Sequence, residues 1–139
     1  MNGSATALTA VSSTIYTATV AATGEGTVKL TVPVGAAVDA AGNPNAAKTA
    51  TVTLDRVAPT VAISPDGLTT NTATVTFEFV FSEAVTGFTS GDVTVTNGAK
   101  GSLSSSGDGM RFTLPVTPLS DGAVSVAVAD NGAVDQAGN

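Results

Sequence analysis

The chain has eleven Asp and Glu residues and neither histidine nor cysteine, so any metal ion it holds must be held by oxygen. A few of these oxygen donors stand out by their setting. The string Val-Asp-x-Ala-Gly-Asn occurs twice, putting Asp39 four residues before Asn43 and Asp135 four residues before Asn139. Asp55 precedes an Ala-Pro pair, Glu83 sits in Phe-Ser-Glu-Ala, and Glu25 sits in Thr-Gly-Glu-Gly. Two uses suit such residues. An aspartate beside glycine and asparagine can cap its own loop by accepting backbone N–H bonds. Several carboxylates brought around one point repel one another until a cation neutralises them, and Ca²⁺, which takes oxygens from carboxylates and carbonyls, favours such clusters. The spacing leaves both uses open.

Other chemistries find less support. General-base histidine, nucleophilic cysteine and a Gly-rich phosphate loop are all missing from the sequence, and the serines of Gly-Ser-Leu-Ser-Ser-Ser-Gly have no recognisable base. A carboxylate-bound metal could hydrolyse a phosphoester, which is the one enzymatic alternative to a non-catalytic role. The five basic residues are scattered singly against a net charge of −6, which argues against nucleic-acid binding. No apolar run has the length of a membrane helix, and the N-terminus has no export signal of its own. Charged residues make up only 12% of the chain, so hydroxyls must solubilise much of its surface, a habit common in extracellular repeat proteins.

The elements that must position these residues are strands. Period-two alternation predicts strands over 14–20, 27–34, 49–54, 60–63, 73–81, 92–96, 110–116 and 123–128, separated by turn pairs such as Asp66-Gly67 and Asn97-Gly98. In the segment 73–81, Val75, Phe77, Phe79 and Phe81 share one face and predict a core. Asp92 reads as the cap of a turn before its strand, and Asp66, Asp108 and Asp121 read as turn residues. Many short strands at regular spacing mean an all-β sandwich or barrel.

The chain also repeats itself. Residues 16–43 laid on residues 112–139 match at eleven of twenty-eight positions, with Asp39 on Asp135 at an offset of 96. Asn2-Gly3 answers Asn97-Gly98 at an offset of 95, so one residue is gained or lost in between.

Three motifs in this order, Asp-x-x-Ala-Pro-Thr-Val from Asp55, Phe-Ser-Glu-Ala-Val-Thr-Gly-Phe-Thr from Phe81, and the two Asp-x-Ala-Gly-Asn strings, resemble the bacterial Ig-like repeats of large surface adhesins and biofilm-associated proteins. The resemblance implies a Greek-key antiparallel β-sandwich, tandem arrays secreted to the bacterial surface, and calcium at domain junctions. On that topology residues 1–57 are the back half of one repeat (strands E, F and G) with its linker, and 58–139 are a second repeat without its final strand. Chain direction in an Ig-like unit brings the incoming linker, the BC loop and the FG loop to one pole. Asp55, Glu83 and Asp135 should therefore converge, with Asn139 or a nearby carbonyl completing a Ca²⁺ shell. Glu25, Asp39 and Asn43 are weaker candidates. The expected function is a non-catalytic spacer stiffened by calcium, the alternative being a module that binds glycan or protein through its loops. An open edge beside the second repeat's strand F should seek neighbouring repeats or a second copy, and a strand-exchanged homodimer is expected.

Overall fold

The computed structural model describes residues 2–139, which form antiparallel β structure with no helix beyond a single 3-10 turn. Two compact units divide the chain, Met1–Arg56 and Val57–Asn139.

The first unit contains two hairpins. Strands β1 (Gly3–Ala10) and β2 (Tyr16–Ala22) pair from Gly3↔Ala22 to Ala10↔Tyr16, with a bulge between Ala5 and Ala7. Strands β3 (Gly26–Val32) and β4 (Lys48–Leu54) pair from Gly26↔Leu54 to Val32↔Lys48. Most side chains here are exposed, Tyr16, Val32 and Val52 among them. The alternation of threonine and alanine with single valines supplies strand propensity but little apolar area.

The second unit is a two-layered sandwich. One sheet orders β5 (Val61–Ser64), β6 (Val75–Phe81), β10 (Arg111–Pro118) and β8 (Gly98–Lys100), with the short β9 (Ser104–Ser105) also on β10. The other pairs β7 (Val93–Thr96) with β11 (Ser125–Val128). The core lies between the layers. Phe77, Phe79, Phe81, Phe112, Leu114 and Val116 project from the larger sheet toward Val93, with Val95, Val124, Val126 and Val128 partly buried against them. Phe88, carried on the loop between layers, packs edge-on against Phe79, Phe81 and Phe112 at centroid distances of 5.0 to 5.5 Å. Such geometry aligns the positive ring edge with a negative face. The phenylalanine stripe is thus core, as its period-two spacing requires.

The structure adds strands that alternation did not reveal. β1, β8 and β9 are built from Gly, Ala, Ser, Thr and Lys, with Leu8 as the single larger apolar residue, and their hydropathy contrast is too low to show a buried face. The first unit therefore has four strands where the sequence suggests three.

The repeat is visible in hydrogen bonds as well as letters. Gly98 pairs with Pro118 as Gly3 pairs with Ala22, and Ser105 pairs with Phe112 as Ala10 pairs with Tyr16. The single-residue difference falls in the intervening turn, residues 11–15 in one unit and 106–111 in the other. Asn97 uses its side-chain amide to tie down the carbonyls of Ser120 and Ala123, and Asn2 does the same for Gly24 and Glu25.

Candidate metal centre

The loop after β11 is built around Asp135. Its Oδ1 accepts the backbone N–H groups of Ala137, Gly138 and Asn139 at 2.8, 2.7 and 2.9 Å, and its Oδ2 accepts the Asn139 side-chain amide at 3.0 Å. Gly138 supplies the left-handed φ of 91° that folds these N–H groups back onto one oxygen. The amide of Asn139, then the backbone donors, hold the Asp135 carboxyl below its ordinary range against the opposing effect of desolvation. A residue only 3% exposed is thereby kept ionised. A carboxylate oxygen carries two lone pairs, so Oδ1 is saturated, and Oδ2, with one donor, has room for a cation.

The rest of the unit fixes this loop and its neighbour. Thr86 and Val134 exchange two backbone hydrogen bonds of 2.8 and 3.0 Å, joining the segment after β6 to the segment before Asp135. Glu83 lies in that first segment, which is clamped on either side by Ser82 N–H to Thr60 and Val85 N–H to Gly109, both 2.9 Å. The Ser82 hydroxyl accepts Thr60 N–H in return at 3.0 Å. Glu83 and Asp55 are half-buried.

One carboxylate oxygen from each of Asp55, Glu83 and Asp135 comes within 4.8 Å of the others. Two oxygens on one Ca²⁺ can be no farther apart than twice the bond length, about 4.6 to 5.2 Å. The spacing, the all-oxygen donor set and the ionised state of Asp135 fit a hard divalent cation. When bound, the ion would neutralise the cluster and tie the segment leading into β5 to the two loops; Asp55, Glu83 and Asp135 Oδ2 would hold it. Asn139 spends its amide orienting Asp135, a contribution that spacing alone did not reveal.

The weaker candidates lie elsewhere. Asp39 caps its own loop, its Oδ1 accepting Ala41 and Asn43 N–H and its Oδ2 the Asn43 amide, all at 2.9 Å. Those bonds, led by the Asn43 side chain, lower its pKa. Asp39 and Asn43 are exposed and outside the carboxylate cluster. Glu25 Oε2 accepts the Arg56 backbone N–H at 2.9 Å and is likewise outside the cluster. Asp92 caps the turn Ser90–Asp92 in a reciprocal arrangement with Thr89, and Asp108 accepts Ser106, Met110 and Arg111 in its own turn.

Comparison with curated proteins and with solved structures finds no match. A family model described as "Bacterial Ig-like domain" matches residues 55–139, a span that starts at Asp55 and ends at Asn139 and so takes in every member of the cluster. With the two-layered antiparallel fold and this match over more than half its length, the chain belongs to the bacterial Ig-like domain family.

Proposed function

We propose that the chain is a non-catalytic structural repeat of a bacterial surface adhesin, a spacer stiffened by Ca²⁺ bound at Asp55, Glu83 and Asp135 where the chain enters the second unit. Domains of this family typically occur in extracellular and surface proteins and are usually non-catalytic. The observation that carries the calcium reading is the approach of three carboxylates to within 4.8 Å around an Asp135 that is buried and held ionised by four donors. Such a group of like charges is stabilised by a cation and strained without one. Binding the folded state alone, the ion raises its stability by mass action and restricts the connecting segment.

Recognition of glycan or protein by loops lacks an aromatic platform. All five phenylalanines are buried in the core, leaving Tyr16 as the exposed aromatic.

Thermal melts of the full chain in excess EGTA and in millimolar calcium test the proposal. Calcium should raise the melting temperature of the second unit in wild type and leave it unmoved in Glu83→Gln. A wild-type melt indifferent to calcium overturns the metal reading.

A further inference from the structure

Glu83 and Asp135 come to the cluster from loops that backbone hydrogen bonds clamp, whereas Asp55 comes from the segment that leaves β4. A ligand on a loose segment gives up conformational freedom when it binds, and that cost is subtracted from the affinity. What holds Asp55 therefore bears on how tightly the site can bind.

The β3–β4 ladder ends at the pair Gly26↔Leu54, one residue before Asp55. Beyond it the pairing is carried on by a side chain. Glu25, the residue before β3, extends its Oε2 to accept the Arg56 backbone N–H at 2.9 Å, in place of the strand carbonyl that the ladder no longer supplies. Asp55 is thus pinned on either side, by the Leu54 pair and by the Arg56 N–H. The turn that carries Glu25 is itself fixed. Asn2 donates its side-chain amide to the carbonyls of Gly24 and Glu25, and its own carbonyl accepts Thr23 N–H at 3.4 Å. Gly26, at a φ of 100°, makes the left-handed step into β3. Glu25 stands outside the carboxylate cluster, so its effect on the site passes through the backbone.

We propose that Glu25 is a positioning residue for the cation site: by fixing the Arg56 N–H it holds Asp55 ready to bind, and it sets the calcium affinity without touching the ion. The inference rests on the reading of Asp55, Glu83 and Asp135 as a Ca²⁺ site. It has a chemical signature, because acceptor and charge can be separated. Glu25→Gln keeps a carbonyl oxygen at the same reach and removes the charge, Glu25→Asp keeps the charge and draws it back by one methylene, and Glu25→Ala removes both. Positioning requires the reach, whereas general attraction of a cation to an acidic surface requires the charge.

Calorimetric calcium titration of the full chain and amide exchange at Arg56, followed by NMR in excess EGTA, test the proposal together. In EGTA, Arg56 should exchange slowly in wild type and Glu25→Gln and several-fold faster in Glu25→Asp and Glu25→Ala. Calcium affinity should fall about tenfold in Glu25→Asp and Glu25→Ala, the low end of what supporting partners of metal ligands contribute because this bond is exposed. Glu25→Gln should stay near wild type, and the calcium-free melt of the second unit should be the same in wild type and all three variants. An affinity unchanged in Glu25→Ala, or one that falls as far in Glu25→Gln as in Glu25→Ala while Glu25→Asp keeps it, overturns the inference and leaves the metal site standing. A wild-type chain that takes up no calcium overturns the site and this inference with it, whatever the exchange at Arg56.

Discussion

Segments 37–43 and 133–139 follow one sequence pattern and make one local structure, an aspartate whose two oxygens gather the N–H groups and terminal amide of Ala-Gly-Asn. Their surroundings differ. Asp39 is exposed, and its loop closes on itself through a bridge between Val38 and Pro44. Asp135 is buried, its loop is bridged outward through Val134 to Thr86, and two further carboxylates approach it. The motif therefore specifies a cap wherever it occurs, while a cation site requires the neighbours that a sandwich brings. The same contrast separates β2 from β10: Ala18 and Tyr16 are exposed where their counterparts Leu114 and Phe112 are buried.

That contrast can be tested at paired positions. Leu114 is fully buried, so Leu114→Ala should cost the second unit about 2 to 5 kcal/mol in urea unfolding. Tyr16→Ala, on the counterpart strand, should stay within about 0.5 kcal/mol. Comparable losses would mean that the first unit has a core of its own.

A Cβ on Gly98 would stand 2.6 Å from Val116 Cγ1, whereas one on the equivalent Gly3 would meet nothing closer than the Ala21 carbonyl at 3.0 Å. Gly98→Ala should accordingly destabilise by about 1 to 3 kcal/mol, with Gly3→Ala costing less. Equal costs would show that the two hairpins are packed alike.

Asp135→Asn should abolish the calcium-dependent rise in melting temperature, and Asp39→Asn should leave it intact. A calcium response that survives Asp135→Asn would move the site away from the second loop.

Acid provides the mildest probe. The folded-state pKa values of Asp39 and Asp135 are both lowered, so each contributes stability that is present above the unfolded value, about 3.9, and is lost as pH falls through the folded value. In EGTA, hydrogen exchange should speed up in both loops below about pH 4. Asp135→Asn should flatten that acid limb only in the second. Asp92 and Asp108, lowered by their own turn bonds, add to the second unit's background and persist in the variant.

Much of the fold was legible because some strands have a strong contrast between faces. Val-Thr-Phe-Glu-Phe-Val-Phe at β6 reads at once as a half-buried strand. Gly-Ser-Ala-Thr-Ala-Leu-Thr-Ala at β1 does not, since small and hydroxylated residues suit either face and its pairing is set by β2. The meeting of Asp55, Glu83 and Asp135 followed from chain direction in an Ig-like unit, because strand polarity decides which loops share a pole. The division of labour within Asp135, one oxygen saturated and the other with room to spare, was not legible. It depends on hydrogen-bond angles and burial that spacing does not carry.

The sequence by itself determined the caps, the turns, the alternating faces and the repeat, since each depends on residues a few positions apart or on a string compared with its twin. Only the tertiary structure decided how deeply each of the two similar loops is buried and how the two oxygens of Asp135 divide their partners. Those outcomes depend on contacts between residues up to eighty positions apart, from Asp55 to Asp135, whose distance in space is fixed by the packing of two sheets rather than by any local preference.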